Sequence, residues 1–341
     1  SQGIPITMCL HPGNTSEQLT AIPLEKEVMK MLPSAKFIYC ADAGLGSYNI
    51  RKFNSMGGRA FIVTQSIKKM SDVLKQSVFN DYDYRLLSND KPVTVAEMKS
   101  FDRFDEKNIK QYNDFAYKVI EADKVLDLGL YEDVTLKNGR TVKRKAKGVL
   151  KQRIIITFSR KVMEYQRAVR SRQIERAKKL LESKDPEEIK KGPNDVRRFL
   201  KRTAKTKSGE RAAVEYTLDE DKIAEEEKYD GYYAVATNLQ DPAKDILAIS
   251  NKRYQIEECF RIMKTNFDGR PVNHRLRERI RAHFLICYTA LLVYRLLEAR
   301  LDEQGTHVPA DNLITTLKNM NVVNVQDIEY MALYSGSEAL D

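Results

Sequence analysis

Lys36-Phe37-Ile38-Tyr39-Cys40-Ala41 and the residues after it, Asp42-Ala43-Gly44-Leu45-Gly46-Ser47, read as a short buried β-strand running straight into a carboxylate and a glycine-rich turn. Open α/β sheets build their sites at the C-terminal ends of their strands, so Asp42 is well placed for metal chemistry. The same aspartate could instead cap a helix over residues 47–54, and spacing alone leaves both readings open. Downstream, Gly57-Gly58 turns the chain into a second buried strand at 60–64, and 66–78 carries a helical pattern. Upstream, residues 4–10 form an apolar run rich in β-formers, followed by a loop over 11–16. Thr15 with Gln18 three residues on predicts a capping box for a helix reaching about Leu32. Alternating strands and helices predict an α/β fold with parallel crossovers.

Charge points to the kind of partner. The 341 residues carry 58 Lys and Arg against 48 Asp and Glu, a net charge of +10 with a pI near 9.2. That balance favours polyanions, nucleic acid first. The four cysteines form no C-x-x-C pair and sit among apolar residues, which reads as reduced thiols in a cytoplasmic protein and argues against zinc. The longest apolar run, 284–294, stops at Arg295 and is too short to span a bilayer, so no membrane partner is expected. No secretory leader pattern opens the sequence.

Between about 80 and 229 the texture changes. Asn138-Gly139 predicts a type I′ hairpin between flanking β-formers, and 150–158 is a β-branched strand. Residues 160–181 read as a long charged helix with Val162, Tyr165, Val169, Ile174, Ala177, Leu180 and Leu181 inward. Asp185-Pro186 and Gly192-Pro193 are loop signals. Two basic runs stand out: Lys143 to Lys147, and a longer one holding Arg197, Arg198, Lys201, Arg202, Lys205, Lys207 and Arg211. Both are candidates for phosphate-backbone contacts, against the alternative of a solvated loop.

Arg253 to Lys264 reads as an amphipathic helix with Ile256, Phe260, Met263 and Phe267 as its apolar stripe and Cys259 beside it. Arg253, Glu257, Arg261 and Lys264 lie close to one face. A carboxylate among cations suits a site that holds a metal ion and phosphates; an ordinary Glu257–Arg261 pair on a solvated face is the alternative. In the helix after it, residues 284–293 are almost wholly apolar and are expected to be buried against the sheet. His283, at the edge of that run, reads as a packed core histidine.

The wording Arg253-x-x-Ile256-Glu257-x-x-Phe260-Arg261-x-x-Lys264 resembles the signature of insertion-sequence transposases of the DDE class. It is most similar to the "IS four" superfamily and its "IS sixteen thirty-four" branch. Arg253, Glu257 and Lys264 fit that signature in register, while its tyrosine position falls on Ser250. Ala41-Asp42-Ala43-Gly44, the Asp230-Gly231 to Thr237-Asn238 wording and Arg270-Pro271-Val272 belong to the same resemblance.

The resemblance implies a ribonuclease-H-like core interrupted by a large, partly β insertion. Residues 1–79 would form the first part of the core, 80–229 the insertion, 230–304 the second part with the glutamate helix, and 305–341 a carboxy-terminal segment. Asp42 and Glu257 would be catalytic and metal-binding, with Glu258 the second choice for the glutamate. Two divalent cations are implied, Mg with Mn as a substitute, for hydrolysis and strand transfer at transposon ends. Arg253, Lys264 and Arg261 would hold phosphates, with Arg197, Arg198, Lys201 and Arg202 assisting. The implied partners are terminal-repeat and target DNA and a second copy of the chain on DNA, in a bacterial cytoplasm at the nucleoid. The first aspartate of the family lies upstream of Gly3-Ile4-Pro5, and no Asp precedes Asp42. The sequence therefore reads as an amino-terminally truncated catalytic domain. A non-catalytic basic DNA-binding protein is the competing reading.

Overall fold

A computed structural model describes residues 3–33, 36–182, 195–205, 213–306, 308–326 and 328–334, with side chains at 203–205 and 213–215 excepted. The loop signals at Asp185 and Gly192 and the basic residues Lys207 and Arg211 lie outside the described residues. The chain divides into two compact units, one of residues 36–247 and the other of residues 1–35 with 248–341.

Helix α1 (Glu17–Met31) belongs to the second of these. Its N-cap is Ser16 without a side-chain cap bond, so the capping box on Thr15 does not form. Residues 4–10 form no strand, contrary to the reading of their apolar run. A strand needs a pairing partner. Here the Gly3 carbonyl accepts from Cys259 Sγ (3.6 Å) and the Pro5 carbonyl from Tyr288 Oη (3.2 Å).

The 36–247 unit is built on one sheet. In chain order its elements are β1 (Ile38–Ala41), α2 (Tyr48–Phe53), β2 (Ala60–Thr64), α3 (Asp72–Phe79), β3 (Arg85–Leu86), α4 (Val95–Ser100), α5 (Ile109–Tyr112) and β4 (Ala116–Glu121). Then follow β5 (Tyr131–Thr135), β6 (Thr141–Lys145), β7 (Arg153–Phe158), α6 (Arg160–Glu182), β8 (Leu200–Lys205), β9 (Ala213–Leu218), α7 (Glu220–Glu227), β10 (Tyr232–Thr237) and α8 (Ala243–Asn251). Six strands form the sheet in the order β1-β2-β10-β7-β4-β3. The fold is mixed α/β, but its sheet is not the parallel one expected. Only β1 and β2 run parallel; β10, β7, β4 and β3 each pair antiparallel.

Strand alternation explains the two-sided core. Ile154, Ile156 and Phe158 of β7 join Phe61, Val63, Ala234 and Ala236 on one face. Ile155 joins Ile62 and Val235 on the other, under Ala243, Ile246 and Leu247 of α8. Because both faces are covered, these strands are apolar at nearly every position rather than at every second one.

Several local readings are corrected. The 66–78 helix is two pieces, a 3-10 turn Ile67–Lys69 and α3, because Ser71 starts α3 by accepting from Leu74 N. The Asn138-Gly139 hairpin forms, but only Gly139 (φ +79°) is left-handed, and its N–H donates to the Leu136 carbonyl while Leu136 N bonds Arg140 O. That is a three-residue loop closing on a left-handed glycine; a type I′ turn needs φ > 0 at both central residues. In α6, Tyr165 is exposed and Met163, Arg170 and Ala177 are the buried residues. Arg170 turns inward because it meets a buried carboxylate, Asp230.

The other unit holds α9 (Tyr254–Thr265), α10 (Arg277–Glu303), α11 (Ala310–Asn319) and the hairpin β11 (Val322–Val325) with β12 (Glu329–Ala332). Ile262, Leu291, Tyr294, Leu313 and Ile314 form its core. The apolar run of α10 is only partly buried: Cys287 and Leu291 face inward, whereas Leu285, Ile286 and Val293 are exposed. The 27-residue α10 is long and apolar enough to cross a bilayer, so the shorter run understated it. Core helices of proteins outside membranes share this length and composition. Midway along it, buried Arg295 forms ion pairs with Glu258 and Glu298.

Candidate active site

Asp42 follows the last residue of β1. Its backbone is extended (φ −77°, ψ 179°) and its Oδ1 accepts from Leu45 N at 3.0 Å, capping the 3-10 turn Ala43–Leu45. The cap therefore serves this turn and not α2, whose N-cap is Ser47. Small residues suit this turn, most tightly at Gly44. A Cβ on Gly44 would stand 3.1 Å from Asp42 Oδ1, so the carboxylate would have to give way, whereas one on Gly46 would touch Arg51 and Val63 at 3.4 Å, an ordinary contact distance. The side chain of Asp42 is exposed, so its carboxylate is open to a ligand from solvent.

Glu257 lies on the outer face of α9. The inward positions are Gln255, Glu258, Cys259, Ile262 and Met263, at the 3–4 spacing of a buried helical stripe. Ile256 and Phe260, expected in the apolar stripe, are exposed beside Glu257, Arg261 and Lys264. The stripe is rotated because the helix packs along Ile262, which is fully buried. Glu257 pairs with Arg253 (3.6 Å), one turn before it, rather than with Arg261. Lys264 Nζ sits over the Phe260 ring, 5.5 Å from its centroid. Arg261 reaches Asp311 (3.4 Å) and, at 4.0 Å, Glu258.

Glu258 and Glu257 differ in their surroundings. Glu258 is held by Arg295 Nη2 at 3.1 Å, and the same guanidinium donates to the Gln255 carbonyl (3.2 Å) and Cys259 Sγ (3.3 Å). Its charge is used inside the α9–α10 contact, while Glu257 remains 70% exposed.

The basic run divides in the same way. Arg198 is tied to Gln173 (2.7 Å) and Glu226 (3.3 Å), and its guanidinium stacks on Phe199, so its charge is matched within the fold. Arg197 stands near Asp195 (3.8 Å) and is 40% exposed. Lys201 and Arg202 on β8 are exposed, as are Lys143, Arg144 and Lys145 on β6. His283 lies at the α10 entrance, its ring 5.5 Å from that of His274 and its Nε2 3.4 Å from the Gly269 carbonyl.

Three arginines escaped the sequence reading. Arg51 and Arg170 look like surface cations, and Arg295 like the polar end of an apolar run, yet each is buried. Arg170 forks onto Asp230 (Nη1–Oδ1 2.7 Å), which also has Arg167 at 3.4 Å, so Asp230 is a structural partner. Gly231 beside it has φ +82°, and a Cβ there would meet Phe158, Met163 and Ser159 at 2.7–2.9 Å. Asn238 Oδ1 takes the Phe61 N–H at 2.9 Å, and its Nδ2 donates to the Arg59 carbonyl. The Asp-Gly to Thr-Asn wording is thus a packing device.

Among the described residues no group of three or more His, Cys, Asp or Glu side chains stands ready for a metal ion. As donors, Asp42 and Glu257 are exposed carboxylates, the hard oxygen ligands that Mg²⁺ and Mn²⁺ prefer. The family model for the transposase DDE domain matches residues 1–293. The chain belongs to this transposase family. No match is found among curated proteins. Transposases of this family move DNA by cutting and transferring strands, and they generally use divalent metal ions.

Proposed function

We propose that this transposase cuts and joins DNA at transposon ends with Asp42 and Glu257 as metal-binding catalytic carboxylates, in the manner of the "IS four" superfamily and its "IS sixteen thirty-four" branch. The observation that carries this reading is the family match over residues 1–293, within which both carboxylates are exposed. Divalent metal, Mg²⁺ or Mn²⁺, would supply activation of the attacking oxygen and stabilisation of the leaving one. The chain's own groups bind and orient. Arg253, half-buried beside Glu257, and exposed Lys264 flank that carboxylate and would grip phosphates, the first as a planar fork and the second as a point charge. Arg261, Arg197, Lys201 and Arg202 would extend the phosphate contacts, and Arg198 is set aside because Glu226 and Gln173 already satisfy it. A ribonuclease-H-like core whose sheet takes β3, β4 and β7 from the 80–229 stretch, a dimer on terminal-repeat DNA and a cytoplasmic, nucleoid-bound location complete the proposal.

The test is metal-dependent nicking of supercoiled plasmid DNA by the full chain. Asp42→Ala and Glu257→Ala should each abolish Mn²⁺-dependent nicking while leaving DNA binding within about threefold of wild type. Glu258→Gln should keep more than a tenth of the activity. Nicking that survives both alanine variants would reject the assignment and favour the non-catalytic DNA-binding reading.

A further inference from the structure

Arg51 is the least expected side chain in the 36–247 unit: a guanidinium only 1% exposed whose hydrogen-bond partners are neutral. Burying a charge among neutral dipoles is costly, so a fold that retains one uses the geometry it imposes. Each arm of the guanidinium grips a different piece of chain. Nε donates to the Gly46 carbonyl (3.0 Å), at the end of the turn that Asp42 caps. Nη2 donates to Gln65 Oε1 (2.8 Å), just past β2, and Nη1 to Gln152 Oε1 (3.0 Å), just before β7.

Both glutamines are themselves anchored. Gln65 Nε2 donates to the Leu128 and Ser66 carbonyls, at 3.0 and 3.2 Å. The Gln152 N–H donates to Asp123 Oδ1 (3.1 Å), and its carbonyl accepts from Ala122 N (3.1 Å). On the turn itself, the Leu45 carbonyl accepts from Tyr39 Oη at 3.3 Å. The last two carbonyls of the turn are therefore pinned, one by Tyr39 and the other by Arg51.

We propose that Arg51 is a positioning residue for Asp42, holding the 42–46 turn through the Gly46 carbonyl and bracing it on Gln65 and Gln152. Its consequence for metal binding rests on the reading of Asp42 as a metal ligand; its effect on the turn does not. Gln152 lies within the 80–229 stretch, so that stretch takes part in shaping the carboxylate's turn. Only arginine has a planar fork able to reach three acceptors at once; lysine keeps the charge and loses the geometry.

The experiment compares wild type with Arg51→Lys, Gln152→Asn, Asp42→Asn and, as a control for stability alone, Ile223→Ala in the satellite core of Ala177, Phe199 and Leu200. Two quantities are read on the full chain: hydrogen exchange of the Leu45 amide, and Mn²⁺ affinity from the electron paramagnetic resonance signal of free Mn²⁺. Arg51→Lys should speed Leu45 exchange at least tenfold and weaken Mn²⁺ binding at least fivefold, with Ile223→Ala leaving both within twofold. Gln152→Asn should move both in the same direction, and decides the matter if Arg51→Lys does not fold. Unchanged Leu45 exchange in Arg51→Lys and Gln152→Asn, or equal acceleration in Ile223→Ala, would overturn the positioning role. Unchanged Mn²⁺ affinity in Asp42→Asn would instead reject Asp42 as a ligand, while the exchange data still decide Arg51.

Discussion

Arg170 and Asp230 show how a residue's role follows from what surrounds it. Their side chains are 8% and 6% exposed, so removing one partner strands a buried charge. Asp230→Ala should destabilise the fold by about 3–5 kcal/mol, against less than about 1 kcal/mol for exposed pairs such as Lys30–Glu27, read by denaturant titration. In the sequence, Arg170 is one of many cations in a charged helix, and nothing in its neighbours marks it as the one that turns inward. The turn at Asp42 was legible because a strand, a carboxylate and glycines adjoin in the chain. Which of Glu257 and Glu258 faces solvent was not. One position of helix rotation separates an exposed carboxylate from one held by Arg295, and that rotation is set by what α9 packs on.

Glycines at φ > 0 separate local from tertiary demands at the scale of an element. Gly139 (φ +79°) closes the β5–β6 hairpin with open space around it, so Gly139→Ala should cost only the left-handed strain, about 1–2 kcal/mol. Gly231 has the same backbone need and also no room for a Cβ. Gly231→Ala should cost clearly more than Gly139→Ala, as a lower denaturation midpoint. Helix α4 opens with a capping box in which Glu97 accepts from the Thr94 N–H (2.7 Å) and hydroxyl (2.9 Å). These bonds hold the Glu97 carboxyl below its usual range, the backbone bond contributing most. A carboxyl lowered in the folded state adds stability above its unfolded value, and that stability is lost as pH falls through the folded one. Glu97→Gln should therefore cost more at pH 7 than at pH 2, whereas Thr94→Ala, which removes the pH-independent cap from the Glu97 N–H to Thr94 Oγ (3.1 Å), should lower stability by about 1 kcal/mol at both, measured by thermal melts. Capping boxes are readable from sequence when they form, yet Thr15 shows that the pattern is not sufficient: the N-cap falls one residue later, on Ser16, and α1 begins at Glu17.

For the whole molecule, charge is the dominant long-range property. A net charge of +10 should make DNA binding steeply salt-dependent, with each lost phosphate contact reducing the logarithmic slope by about 0.9. Lys201→Ala with Arg202→Ala should reduce the slope by about 2, whereas Arg198→Ala should leave it unchanged and lower stability; fluorescence anisotropy across a salt series reads the first and a melt the second. Short-range features could be read from the chain alone: the apolar strands at 60–64 and 153–158, the Asp42 turn, the long helices, the basic balance and the family wording around Glu257. Each follows from residues adjacent in the chain, through backbone preference and periodicity. Tertiary structure alone decided which strands pair and in which direction, which face of α9 and α10 is buried, and which arginines turn inward. Those outcomes depend on partners far away along the chain, such as Gln152 for Arg51 or Asp230 for Arg170. An exposed and a buried cation are written with the same letter, and only packing tells them apart.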